Sequence, residues 1–219
     1  MRAAVIIFPG SNCDRDLLAA LRFTGHETVP IWHKETEIPK NIDLIAIPGG
    51  FSFGDYLRCG AIAAKSPIFN EVIRHIERGG YALGICNGFQ ILTEAGILPG
   101  ILQQNTGTKF ISKVIDLRVN NTSSTFTHNY SSNTIISIPI AHHEGNYFAS
   151  MDDLKKLKDK NCIAFEYIDN PNGASDNIAG ILSENHRVLG MMPHPERHTE
   201  SAHGCQDGYP FFKGLLETS

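Results

Sequence analysis

The sequence predicts an α/β fold, with an open, mostly parallel central sheet, helices on both faces and an extra antiparallel ribbon. Three observations predict it. In the first half, short apolar runs alternate with stretches of helical periodicity. The run at 42–47 is followed at once by Pro48-Gly49-Gly50, a loop signal. In the second half, strand-like segments succeed one another through Asn-, Ser- and Gly-rich turns with little helix between them. Strands alternating with helices pair in parallel and bury both sheet faces, whereas strands without crossovers pair antiparallel.

Taken in order, residues 3–8 read as a buried strand and 14–23 as a helix with Leu17, Leu18 and Leu21 on one face. Gly25 ends that helix, and 27–32 and 42–47 are further strands, the latter running directly into Pro48-Gly49-Gly50. Residues 67–78 are helical up to Gly79-Gly80; 81–85 is a strand and 87–95 a helix that starts immediately after it. Beyond this point 113–119, 134–140, 162–167, 178–183 and 187–192 read as strands, with helices expected only at 151–160 and 209–216. The Lys155–Lys160 stretch, interrupted by Asp159, reads as a solvated helix end. Without repeats or a low-complexity linker, all 219 residues are expected to form a single domain, 1–219.

Composition narrows the function. The net charge of −4 comes without a clustered basic face, so no nucleic-acid partner is expected. No apolar run approaches ~18 residues, so no membrane span is expected, and the apolar start of the chain is too short for a signal peptide. Five dispersed cysteines without C-x-x-C fit a reducing cytoplasm rather than a disulfide framework.

One local signal carries chemistry. Residues 81–90 run an apolar strand into Gly84-Ile85-Cys86-Asn87-Gly88 and then into a helix. This is the cysteine form of a nucleophile elbow, in which a sharp turn presents the nucleophile above the sheet. The turn strains the backbone at position 86, so residues two positions away must lack a Cβ. At a helix N-terminus the dipole favours the thiolate, the reactive form. The N–H of Asn87 then becomes an oxyanion donor. The competing reading is a small buried cysteine between two turn glycines.

A cysteine nucleophile needs a base, and the base an orienting acceptor. His194-Pro195-Glu196 follows another apolar strand, with the imidazole and carboxylate two residues apart and prolines restricting the backbone. In an open parallel sheet, functional groups gather at the carboxyl ends of strands. Cys86, His194 and the Pro48-Gly49-Gly50 loop all occupy such ends, which makes the N–H of Gly50 the second oxyanion donor. The remaining histidines match no zinc spacing and His142-His143-Glu144-Gly145 is not H-E-x-x-H, so no metal is expected. Cys59, Cys162 and Cys205 lack an elbow and read as inert thiols; no phosphate cradle is visible.

With these motifs on the page, the chain resembles the triad (class I) glutamine amidotransferases. Within them it is similar to the glutaminase subunits of phosphoribosylformylglycinamidine synthase. The carrying segments are residues 8–14 (FPGSNCD), 48–60 (PGGFSFGDYLRCG), 84–88, 139–142 (PIAH), 171–173 with 177–181, and 191–197 (MMPHPER). They span nearly the whole chain. The resemblance implies a flavodoxin-like sheet and a division of labour. Cys86 attacks the side-chain amide of L-glutamine, Gly50 and Asn87 hold the oxyanion, His194 moves protons, Glu196 orients it, and Gln90 contacts the bound glutamine. It also implies no cofactor in this chain, a large synthetase subunit that uses ATP and Mg²⁺, and a small bridging subunit, all in the cytoplasm. Two departures stand out. His143 replaces an expected glycine, and the segment at 110–114 lacks the Cys-Arg pair usual after Phe110. The alternatives left open are another triad amidotransferase or a free-standing cysteine hydrolase of the same fold, and a non-catalytic regulatory module.

Overall fold

Uninterrupted apolar strands can be satisfied only where both sheet faces are covered, and that is how the chain arranges them. The computed structural model describes residues 1–215. In chain order these residues form β1 (Arg2–Ile7), α1 (Asp14–Phe23), β2 (Glu27–Trp32), β3 (Leu44–Ile47), α2 (Phe69–Glu77), β4 (Tyr81–Ile85), α3 (Asn87–Glu94), β5 (Ile101–Gln103) and β6 (Ile111–Val119). There follow β7 (Ile135–His142), β8 (Asn146–Phe148), α4 (Met151–Asp159), β9 (Ile163–Tyr167), β10 (Ile178–Leu182), β11 (Val188–Met191) and α5 (Tyr209–Gly214).

A nine-stranded sheet runs in the order β2-β1-β3-β4-β11-β10-β9-β6-β7. The ladders joining β2, β1, β3, β4 and β11 are parallel. Those joining β11, β10, β9, β6 and β7 are antiparallel, so the second-half strands extend the sheet itself. The chain steps one way from β1 to β2 and the other way from β3 to β4. Right-handed crossovers therefore put α1 on one face and α2 on the other. Phe69, Phe89, Phe165 and Phe211 are fully buried in the core that the two layers enclose.

Most elements expected from the sequence are present, with ends shifted by one or two residues. The helix expected over 67–78 is Phe69–Glu77, and the strand expected over 134–140 continues to His142 because Ile111 and Ser112 extend its partner. Ser150 caps α4 by accepting from the Asp153 N–H at 3.1 Å; Leu154 and Leu157 are buried while Lys155, Lys156 and Lys158 face outward. Residue 216 of the last expected helix lies outside the described residues. The small separate antiparallel sheet β5–β8 is built from segments that the sequence did not mark as strands. Its strands are three residues each, too short to show a period. Among the described residues, no helix is long and apolar enough to cross a membrane.

Candidate active site

The register of two neighbouring strands builds the site. β4 and β11 pair in parallel with Ile85 opposite Met191, and the Cys86 N–H donates to the Met191 carbonyl at 2.7 Å. Whatever follows Ile85 and whatever follows Met192 must emerge at the same rim. Cys86 takes φ 52°, ψ −107°, a strained conformation for a residue with a Cβ, and α3 begins at the next residue. The flanking glycines are required by contact: a Cβ on Gly84 would lie 2.6 Å from the Gly88 carbonyl, and one on Gly88 2.1 Å from the Ile47 oxygen.

His194 is fixed at both ends. Its N–H donates to the Pro139 carbonyl at 2.8 Å, and its Nδ1–H donates to Glu196 Oε1 at 2.6 Å. That bond selects the tautomer and leaves Nε2, which has no protein partner, for chemistry. Both side chains are about 1% exposed. Burial works against the charged imidazole, but Glu196 and the sulfurs of Cys86 and Cys13 outweigh it, so the His194 pKa is raised well above its ordinary value. Gly49 shows how close the groups stand. A methyl there would lie 2.7 Å from His194 Cε1 and 3.3 Å from both Cys86 Cβ and Cys13 Sγ. The three side chains face one another across the space that this glycine leaves free.

A pocket of about 150 Å³ opens beside the sulfur, lined by Gly50, Cys86, Gln90, Ala141, His142 and Glu144 among others. Its size suits a small metabolite rather than a drug-sized ligand, whose sites run to about 300–1,000 Å³. Gly50 has φ 133°, and a Cβ there would lie 2.6 Å from the Asn12 nitrogen, so only glycine fits. Asn87 is the first residue of α3, where N–H groups lack an intrahelical acceptor. The Gln90 side chain is tied at both ends, accepting from Asn87 Nδ2 at 2.8 Å and donating to the Glu144 carbonyl at 2.7 Å. It therefore holds the wall at 141–144 to the elbow.

Sequence reasoning missed several neighbours. Asp55 and Cys59 line the pocket from the 51–60 loop. Burial raises the Asp55 pKa, as does the Glu144 charge; burial and hydrogen bonds to Glu144 and Asp55 hold the Cys59 thiol protonated. His142 donates from Nδ1 to Asn105 Oδ1 at 3.1 Å, an oxygen that also accepts the Gly145 N–H at 3.0 Å. Burial, reinforced by His194, lowers the His142 pKa to about 4. Cys13 reaches the triad from the end of β1. The available signals were its place in the 8–14 segment that carries the family resemblance and its position past a strand, at the rim shared by the other strand ends. Cys13, His194 and Glu196 are the one group of possible metal ligands among the described residues. A cation there would have to disrupt the 2.6 Å His194–Glu196 bond and approach the Arg197 guanidinium, which lies 3.2 Å from the sulfur. The geometry is that of a charge-balanced network.

Comparison with known proteins places the chain in a family. Residues 1–205 match the model of the CobB/CobQ-like glutamine amidotransferase domain. The phosphoribosylformylglycinamidine synthase subunit PurQ of Ruegeria pomeroyi is 59% identical over 98% of this chain and 97% of its own length. The subunit of the same name from Cereibacter sphaeroides is 57% identical over 99% and 97%. Among solved structures, PurLQS from Thermotoga maritima includes a chain that superposes with a TM-score of 0.92 at 42% identity, covering 99% of this chain and 97% of that one.

Proposed function

The chain belongs to the CobB/CobQ-like glutamine amidotransferase family, among the PurQ subunits of phosphoribosylformylglycinamidine synthase, and from that premise we propose that Cys86, His194 and Glu196 carry its reaction. It is a glutaminase subunit: in purine biosynthesis it releases from glutamine the ammonia that the synthetase consumes. We read all of 1–219 as one amidotransferase domain working in the cytoplasm.

The Cys86 sulfur attacks the side-chain carbonyl carbon of L-glutamine. The oxygen takes up negative charge, which the N–H groups of Gly50 and Asn87 stabilise. His194 protonates the nitrogen as the C–N bond breaks, and ammonia leaves a glutamyl thioester. His194 then takes a proton from water, the resulting hydroxide attacks the thioester, and the thiolate leaves with glutamate. Glu196 keeps the imidazole in the required tautomer throughout. Gln90 positions the pocket wall and, at its 5% exposed edge, meets the substrate. The ammonia passes to a large synthetase subunit that uses ATP and Mg²⁺, with a small subunit bridging the two. This chain needs no cofactor or metal of its own. Transfer between subunits protects ammonia from protonation in water at neutral pH.

The observation that carries this reading is the Gly49 gap, around which the Cys86 Cβ and the His194 ring face each other at one sheet rim. The test is Cys86→Ala in the assembled complex. Glutamine-dependent synthesis should fall by about 10⁴-fold or more, while synthesis fed with ammonium persists. Retention of glutamine use would remove Cys86 as the nucleophile.

A further inference from the structure

We propose that Cys13 is a positioning residue for proton transfer: its sulfur, fixed by Arg197, stands beside the His194 ring and stabilises its imidazolium. The proposal rests on the reading of His194 as the group that carries the proton.

The chain leaves β1, turns through residues 8–11 with the Ser11 N–H on the Phe8 carbonyl at 3.0 Å, and starts α1 at Cys13. The Cys13 N–H donates to the Gly49 carbonyl at 3.3 Å, which joins this turn to the loop after β3. The side chain is buried, at 4% exposure, and its sulfur is not packed as an inert thiol. Arg197 Nη2 lies 3.2 Å away and Asn12 Oδ1 3.4 Å away. The sulfur, one imidazole nitrogen of His194 and one carboxylate oxygen of Glu196 are all within 4.8 Å of one another. These partners assign the roles. Asn12 Oδ1 can only accept, so it takes the thiol proton. Arg197 can only donate, so a sulfur lone pair turns toward it. Arg197 is itself held, its Nε donating to Asp16 Oδ2 at 3.0 Å. A thiol serving only to fill space would need neither guanidinium nor amide.

The charged and titratable groups around His194 come from four elements. Glu196 belongs to its own loop, Cys86 to the elbow, Cys13 to the start of α1 and His142 to the end of β7; Arg197 stands behind Cys13 and Glu196. Burial opposes the imidazolium, and the Glu196 carboxylate with the sulfurs of Cys86 and Cys13 outweighs that opposition. With Cys13 removed, two of these groups remain, and the imidazolium loses its proton at lower pH. His194 would then be less often charged when ammonia must leave.

The experiment is the pH profile of glutamine hydrolysis by the assembled complex, for the parent and for Cys13→Ala, Cys13→Val and Cys13→Ser. Cys13→Ala and Cys13→Val should move the alkaline limb of kcat/KM down by about 0.5–1 pH unit and lower kcat about tenfold, with KM for glutamine changing less than about twofold. Cys13→Ser keeps a donor for Asn12 and an acceptor for Arg197 beside the His194 ring, and should restore the parental limb. Cys13→Val fills the vacated volume, so a poorly folding Cys13→Ala does not void the test. An unmoved limb in whichever apolar variant folds, or an equal shift in Cys13→Ser, overturns the proposal. Failure of the nucleophile assignment would register separately, as glutamine use surviving Cys86→Ala.

Discussion

Of the parallel strands, β3 and β11 are buried at every residue and β4 at all but one, β1 is buried at its four central residues, and the edge strand β2 only at Ile31. Of the antiparallel strands, β9 and β10 are buried almost throughout, whereas β6 and β7, at the sheet edge, largely alternate buried with more exposed positions, so one face of that edge is open. The two halves also contribute differently to the site. Cys86, His194, Gly50 and Cys13 all follow parallel strands; Ala141, His142, His143 and Glu144 end or follow β7 and form the pocket wall. The chemistry stands on backbone that cannot shift without disturbing a packed core. On the proposed reading, the substrate meets a wall that can tolerate change. The departures at His143 and at 110–114 both fall on this second half, at β7 and its partner β6.

Gly88→Ala is the sharpest way to break that contrast. The new Cβ would sit 2.1 Å from the Ile47 backbone oxygen, so α3 would have to move and carry Cys86 with it. Overpacking of this kind costs about 1–3 kcal/mol and sometimes more. A displacement near 1 Å at a nucleophile costs about 10²-fold in rate. Denaturant unfolding and glutamine turnover should therefore both fall. A variant as stable and active as the parent would mean that the parallel half is not the rigid frame described.

Asn105→Ala probes the other half. Asn105 Nδ2 donates to the carbonyls of Lys109 at 2.8 Å and His142 at 3.0 Å, and its Oδ1 accepts from His142 and Gly145. It ties the pocket wall to the strand end. Its loss should cost about 1–3 kcal/mol by leaving buried groups unpaired. KM for glutamine should rise several-fold while kcat changes less, because the triad is untouched. An equal fall in kcat with KM unchanged would erase the distinction between frame and wall.

The same contrast explains what could be read from the sequence. Uncharged runs such as Leu44–Ile47 announce themselves as buried strands, and the glycines and prolines after them mark the rim, so the meeting of Cys86, His194 and Glu196 there was legible. The order β10-β9-β6-β7 was not, because alternation reveals which face of a strand is buried but not which strand lies beside it. Cys13 could not be tied to His194, since only the sheet brings residues so distant in sequence together. The strained loop at 52–57, with Phe53, Asp55 and Leu57 at φ 53°, 56° and 71°, lacks the glycines that would have signalled those three positions.

The gentlest test concerns protons. His142 is held near pKa 4 by burial and by His194, against about 6.5 unfolded, so below pH 6.5 the unfolded chain binds a proton that the folded chain refuses. Stability from this group is present above the unfolded pKa and is lost as pH falls toward 4. His26, His33 and His75, also lowered, act in the same sense. His194 does not compete in this window. Its pKa is raised, so its contribution is complete below about 6.5 and is lost only as pH rises. His142→Gln should therefore flatten the stability curve between pH 4 and 6.5 by up to about 1.4 kcal/mol per pH unit, one proton's worth. Urea unfolding of parent and variant at several pH values reads this directly, and parallel curves would show that His142 is already charged in the folded wall.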